Sequence, residues 1–183
     1  MNKSVALHAA AMTLLLLLCG CHGGSSSSGP EPFDPNRPLG PGTYRAVLST
    51  DAQSGVNPLP VQGVALTVAL PTGVSIATAD GGSGPIPDAL LATALAGTSL
   101  VSGTYSAELH QVKLALSSPQ SRTWSGEYLR LTFKVAAGSS VTEADFQRLN
   151  APFPAAKVVA LDPATHSTVV LTSDFKSTLK VSQ

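Results

Sequence analysis

Apolar and polar residues alternate along several short windows of the chain, which is the pattern of a β-strand with one buried face. The clearest window covers residues 128–135. Its predicted inward residues are Leu129, Leu131, Phe133 and Val135. Its predicted outward residues are Tyr128, Arg130, Thr132 and Lys134. A strand of this kind covers a hydrophobic core on one side and meets solvent on the other.

The same alternation predicts further strands elsewhere in the chain. They cover residues 44–49, 64–70, 74–76, 112–116, 158–161, 168–171 and 177–181. Turn signals rich in Gly, Pro, Asn, Asp or Ser lie between them, at 54–55, 57–58, 71–73, 80–82, 118–119, 137–138 and 162–163. Short strands punctuated in this way predict an all-β sandwich or barrel.

Two segments carry helical signals instead. Thr142 has the character of an N-cap, with Glu143 and Asp145 in the first turn of a short helix. Residues 88–96 are rich in Ala and Leu and are followed by Gly97, so they would also form a short helix. A buried strand or a loop remains the alternative for such a short apolar run.

The N-terminus has the parts of a secretory signal peptide. Lys3 gives a positive start, an apolar stretch ends in five leucines at 14–18, and the small residue Gly20 follows. The apolar stretch is interrupted and is shorter than the roughly 20 residues that a membrane span requires. Residues 1–20 are therefore predicted to be removed on export.

The residues around the expected cleavage point resemble the lipobox of bacterial lipoproteins. The quartet at 18–21 reads Leu-Cys-Gly-Cys, and in that family the last Cys receives the lipid. Cys19 departs from the usual Ala, Ser or Thr, and the bulky Leu18 before it makes Cys19 unsuitable for lipidation. The resemblance implies that Cys21 becomes the lipid-modified first residue of the mature protein. Several acyl chains on one residue provide a stable membrane anchor, which a single chain does not.

Residues 21–41 are predicted to be a flexible tether between that anchor and a folded domain at 42–183. A Gly/Ser tract and a Pro-rich tract, together covering 23–38, lack the composition of a core. His22 rather than Asp follows Cys21, and by resemblance to Gram-negative lipoproteins this implies the outer membrane. The expected localisation is therefore the cell envelope, lipid-anchored at the outer membrane.

The charge and cysteine composition argue against nucleic-acid binding, disulfides and thiolate metal sites. Only 12% of the residues are charged, and acids and bases are equal in number at 11 each. No basic patch or stripe is visible in the sequence, so nucleic acid is not an expected partner. The predicted domain contains no Cys, which excludes disulfides and thiolate metal sites within it.

Residues that would support catalysis or metal binding are scattered along the chain. His110 and His166 have neither a second His nor a carboxylate at ligand spacing, so no metal is expected. The G-x-S-x-G, phosphate-loop and H-E-x-x-H motifs are absent from the sequence. Ser173 and Lys176 match S-x-x-K, but the two further motifs that complete such a site are missing. We therefore expect no enzymatic activity and no cofactor.

Three stretches taken in order resemble the cohesin-like branch of the β-sandwich modules. They are a strand running into a turn at 61–74, an alternating strand at 126–138, and an acidic segment at 140–146 that ends in Phe. The resemblance implies a two-sheet jelly-roll sandwich over residues 42–183. Cohesins bind dockerin modules through one sheet face, and related modules bind polysaccharide. The leading expectation is a non-catalytic, cohesin-like module for a protein partner at the cell envelope, and the alternative is a carbohydrate-binding module.

Aromatic and basic side chains near one predicted turn are the candidate contact residues. Trp124 is the only Trp of the chain, and Tyr128 and Arg130 follow it at predicted outward positions. Trp, Tyr and Arg dominate many interfaces, and exposed aromatic rings can stack on sugars. Packing of Trp124 at the end of the core is the competing interpretation. Aromatic residues make up only 5% of the chain, which argues against a broad polysaccharide platform.

Overall fold

A computed structural model describes residues 34–50, 61–95, 99–122, 125–162, 164–170 and 176–183, with the backbone alone at 120–122. The predicted signal peptide, Cys21, Trp124 and the turn signals within 54–58 lie outside the described residues. Within the described part, β-strands dominate and a single α-helix occurs. The predicted all-β class is therefore confirmed.

The strands form two sheets with antiparallel pairing. The five-stranded sheet contains β1 (Gly42–Thr50), β3 (Val74–Ser75), β5 (Leu91–Thr93), β8 (Gly126–Val135) and β11 (Ser177–Ser182). The six-stranded sheet contains β2 (Val61–Ala69), β4 (Gly84–Pro85), β6 (Leu100–Ser106), β7 (Gln111–Arg122), β9 (Ala155–Leu161) and β10 (Thr168–Val170). The helix, α1, covers Glu143–Leu149, and a 3-10 turn covers Asp88–Leu90.

Most connections between consecutive strands pass from one sheet to the other. The strand order is β11-β1-β8-β3 in the five-stranded sheet, where β5 also pairs with β8. It is β10-β9-β2-β7-β6-β4 in the six-stranded sheet. Among the described strands, only β6–β7 and β9–β10 are hairpins of consecutive strands, so every other connection passes from one sheet to the other. Connections of this kind hold two sheets together as one sandwich.

The inward residues of both sheets pack into one hydrophobic core. Every second residue of β2 from Val64 to Val68 is buried, as the alternation predicts. Phe133 of β8 contacts two aromatic rings, with centroid distances of 6.0 Å to Tyr44 and 5.0 Å to Phe146. The sandwich predicted from the sequence is therefore confirmed.

Helix α1 covers one edge of the five-stranded sheet. Thr142 is its N-cap, as predicted, because its hydroxyl accepts from the Asp145 N–H and the Asp145 carboxylate accepts from the Thr142 N–H at 2.9 Å. Phe146 anchors the helix in the core. Glu143 is buried beside the edge strand β11, and its carboxylate accepts from the Gln147 amide at 3.0 Å. Burial nevertheless raises the pKa of Glu143.

Two segments differ from their predictions. Residues 88–96 begin with the 3-10 turn and continue as β5, so the strand alternative is confirmed for Leu91–Thr93. The turn predicted at 118–119 is wrong, because this dipeptide lies within β7. The pairing of β7 with β2 is regular only up to Ser117 and resumes at Arg122. Pro119 is therefore in an irregular stretch, where a residue without an N–H is tolerated.

The folded domain begins before residue 42, because the preceding segment is hydrogen-bonded to residues around the start of α1. The Ala144 N–H donates to the Pro35 carbonyl at 2.9 Å. The Leu39 N–H donates to the Val141 carbonyl at 2.7 Å. The tether predicted over 21–41 is therefore too long at its C-terminal end.

Candidate functional site

Tyr128 is buried, so the prediction that it faces outward is wrong. The register between β1 and β8 shifts at this point. Leu48 of β1 pairs with Leu129, whereas the next residue, Ser49, pairs with Glu127 rather than Tyr128. Tyr128 is the extra residue of this β-bulge, and both it and Leu129 are fully buried. Simple alternation does not reveal a bulge, because one inserted residue reverses the facing of those before it.

Tyr128 links three strands of the five-stranded sheet. Its hydroxyl lies 2.5 Å from the hydroxyl of Ser177 in β11, which is also buried. Its carbonyl accepts from the Thr93 hydroxyl at 3.0 Å and from the Ala94 N–H at 3.3 Å, at the end of β5. Burial raises the pKa of the Tyr128 phenol to about 12, although the Ser177 bond acts in the opposite direction. Tyr128 therefore holds strands together and is not accessible to a partner.

Tyr128→Phe should lower the free energy of unfolding by about 1–2 kcal/mol, because the buried Ser177 hydroxyl loses its partner. Urea denaturation of the two chains measures the change. In a double-mutant cycle, Ser177→Ala should destabilise the Tyr128→Phe chain much less than the natural chain. Equal destabilisation in both backgrounds would show that the two hydroxyls are not coupled.

Arg130 lies on the outer face of the five-stranded sheet, as predicted. Its guanidinium forms an ion pair with Glu127 on the same strand, and Nη2 donates to Oε2 at 3.1 Å. Arg130 is thus exposed while Tyr128 lies in the core, and Trp124 lies outside the described residues. Tyr128 and Arg130 therefore do not share a surface. A contact role for Arg130 stays a prediction.

Arg130 belongs to a group of four exposed basic side chains that the sheet brings together. Cross-strand pairing places Val47 of β1 between Arg130 of β8 and Lys180 of β11. Arg45 lies two residues from Val47 along β1, and Lys134 lies four residues from Arg130 along β8. We name these four basic residues the basic face. Residues distant in the sequence share this face, so the linear sequence does not reveal it.

The outer face of the six-stranded sheet is covered largely by small side chains. They are Ala65 and Thr67 of β2, Ser102 and Thr104 of β6, Ala115 of β7 and Ala155 of β9. Two lysines, Lys113 and Lys157, lie among them. These residues line a shallow concave region of about 680 Å³, which we name the small-residue face.

Ala65 is central to the small-residue face. It pairs with Ala115 of β7 on one side and with Lys157 of β9 on the other. Because outward side chains stand roughly perpendicular to the sheet, short ones leave its backbone close to the surface. Another molecule can therefore approach the sheet closely at this place.

A row of cross-strand neighbours borders the small-residue face, and the residue at each end of the row is apolar. Val170 of β10 pairs with Val159 of β9, and Leu100 of β6 pairs with Ser117 of β7. Both Val159 and Ser117 pair with Gly63 of β2, so the row crosses five strands. Leu100 is 72% exposed and Val170 is 53% exposed. The row therefore places one exposed apolar side chain on each side of the small-residue face.

The described titratable side chains form no metal-binding group. No three His, Cys, Asp or Glu side chains come together within the described ranges. His110 and His166 lie in separate hairpin turns, between β6 and β7 and between β9 and β10, with φ of 47° and 53°. Lys113 and Lys157 form no ion pair with the part of the chain that the structure describes. Their charges are therefore available to another molecule.

Comparisons with known proteins leave the chain without a family assignment. A scan against protein-family models and searches of curated proteins and solved structures found no match. The resemblances at 18–21 and across 42–183 therefore rest on sequence patterns alone. No helix within the described residues is long and apolar enough to cross a bilayer.

Proposed function

We propose that this chain is an exported lipoprotein, anchored through lipid on Cys21 at the outer membrane, with a non-catalytic module for binding a protein partner. The small-residue face, with exposed Leu100 and Val170 beside it, carries the proposal. Of the surfaces described above, it is the one that combines a concave shape with exposed apolar side chains. In this arrangement the sandwich is a scaffold, and the outer side of the six-stranded sheet is the contact surface.

The composition of this surface matches what a protein interface requires. Protein interfaces combine apolar contacts with polar surroundings. Leu100 and Val170, at the two ends of the row, supply apolar side chains whose exposed surface a partner would remove from water. Lys113 and Lys157, which form no ion pair with the described residues, supply positive charges for a partner's carboxylates. A few such anchors dominate binding when the surrounding surface fits closely.

Polysaccharide is the alternative ligand. Aromatic rings bind sugars by stacking on them, which requires exposed rings. Burial of Tyr128 removes one of the two rings that the sequence offers near 124–130. The remaining aromatic residue there, Trp124, lies outside the described residues. The protein partner is therefore the proposal that the described surface favours.

Ala115→Glu should weaken partner binding by about tenfold or more, because it places a longer, charged side chain in the small-residue face. The natural mature chain is first immobilised and then exposed to increasing amounts of detergent-solubilised envelope proteins. The addition continues until the binding of one partner reaches saturation. That partner is then purified, and its Kd for each chain is measured. Ala92→Glu is the matched control, since Ala92 is exposed on the outer face of the other sheet.

The control should bind the partner as tightly as the natural chain does. Unchanged binding by Ala115→Glu would show that the contact surface lies elsewhere. Equal weakening by Ala115→Glu and Ala92→Glu would show that the effect is not specific to the small-residue face. If the immobilised chain captured envelope glycan but no protein, the result would support the alternative function, carbohydrate binding.

A further inference from the structure

The basic face is unbalanced in charge although the chain as a whole is balanced. Eleven acids offset 11 bases in the sequence. On the outer side of the five-stranded sheet, however, Glu127 is the only described residue that forms an ion pair with the basic face, through Arg130. Asp88 borders this side from the 3-10 turn before β5. Arg45 and Lys134 form no ion pair with any described residue.

The shape of this side suits contact with a flat surface. Apart from Glu127, the outward residues of β1, β8, β5, β3 and β11 that surround the basic face are short: Thr43, Val47, Ser49, Thr132, Ala92, Ser75, Thr178 and Ser182. The long side chains of the basic face therefore extend beyond their neighbours. Glu143 attracts Lys180, but it is buried at the β11 edge and does not belong to this surface.

The chain enters the domain beside the start of α1 and then continues directly into the five-stranded sheet. Its first described strand, β1, contributes Arg45, and Thr43 of β1 pairs with Lys134. The 13 residues at 21–33, which precede the described domain, span at most about 45 Å when fully extended. A lipid on Cys21 would therefore keep the basic face within reach of the membrane.

We infer that the basic face docks on an anionic phospholipid surface and orients the domain on the membrane that anchors it. This inference rests on the lipid anchor of the proposed function. Each Lys or Arg near an anionic bilayer raises membrane partitioning by about fivefold. The small-residue face belongs to the opposite sheet of the sandwich, so docking directs it away from the membrane and towards a partner.

Vesicle flotation of the mature chain carrying Cys21→Ser tests the inference, because this chain has no lipid of its own. It should float with vesicles of phosphatidylcholine and phosphatidylglycerol at low salt, and not with phosphatidylcholine alone. Arg45→Gln with Lys134→Gln should weaken this binding by roughly tenfold or more. Lys113→Gln with Lys157→Gln is the matched control, because it removes the same charge from the opposite sheet and should leave binding unchanged.

Three results would overturn the inference. They are no binding to the anionic vesicles, equal binding to neutral vesicles, and equal loss from the two double variants. The inference would also be overturned if the chain did not bind vesicles but bound the soluble anionic polysaccharide polygalacturonate. That result would identify a glycan as the ligand of the basic face. Because flotation uses a chain without lipid, its failure is distinguishable from failure of the anchor at Cys21, which fractionation of cells reports.

Discussion

Cys21→Ser should move nearly all of the protein from the membrane fraction to the soluble fraction of the cells that produce it. The variant keeps the tether and the domain but lacks the acyl chains, which together supply stable anchoring. The membranes are washed at high salt before the protein is measured. Salt screens electrostatic docking of the basic face, whereas it leaves a lipid anchor in place. Cys21 lies outside the described residues, so the experiment tests a sequence prediction directly.

Cys19→Ser is the matched control for the lipid anchor. Ser is a usual residue at that lipobox position, so the control should stay in the membrane fraction and incorporate a labelled fatty acid. Protein carrying Cys21→Ser should incorporate none. If it remained in the washed membranes, or if Cys19→Ser abolished the label, the assignment of the lipid to Cys21 would be wrong.

Phe133→Ala should lower the free energy of unfolding by about 3–5 kcal/mol. Phe133 is 1% exposed, and its ring contacts Tyr44 of β1 and Phe146 of α1. Removing the ring leaves a cavity where three elements meet, which partial relaxation of the neighbours does not fill. Because most domains are stable by only about 5–15 kcal/mol, this loss should bring the variant close to unfolding. Urea denaturation monitored by circular dichroism measures it.

Phe153→Ala is the matched control for the loss of a core ring. Phe153 is exposed, and its ring lies 6.0 Å from the Lys176 ammonium. Its removal should destabilise the protein by less than about 1 kcal/mol. Similar losses for the two variants would contradict the position of Phe133 at the junction of β1, β8 and α1.

Alternation predicts a strand well where inward positions are apolar and outward positions are polar. This condition holds at Leu179 and Val181 of β11, which are inward between exposed polar residues. It also holds around Lys113 of β7, which is exposed between the buried Val112 and Leu114. Local sequence is sufficient in these strands, because burial on one face and solvent on the other impose a period of two residues.

Strand β6 was not predicted, because its pattern is the reverse of the expected one. Leu100 is outward and exposed, whereas Gly103 is inward. A Cβ on Gly103 would lie 2.9 Å from Leu114 and 3.0 Å from Ile86, so the neighbours already fill that space. The inward position therefore has no apolar side chain for a pattern to detect. Packing against β7 and the Ile86 segment, rather than local sequence, explains the strand.

The candidate surfaces were hidden from the sequence for a related reason. Arg45, Arg130 and Lys180 are far apart in the chain and become neighbours only through the pairing of β1 with β8 and β11. In the small-residue face, residues such as Ala65 and Ala115 have no chemical signal of their own. Strand order and register, which local patterns do not determine, are needed to place either group on a surface.

The edges of the two sheets affect how closely copies of the protein can be displayed. Helix α1 packs on β11, while β10 has three residues and β4 has two. Molecules confined to one leaflet collide far more often than molecules in free solution. Long unprotected edge strands would then pair between copies and form β-aggregates. The packing of α1 on β11 and the shortness of β10 and β4 limit that route at these three edges. For the envelope lipoprotein that we propose, abundance rather than self-association of strands would then set the density at which the module is presented.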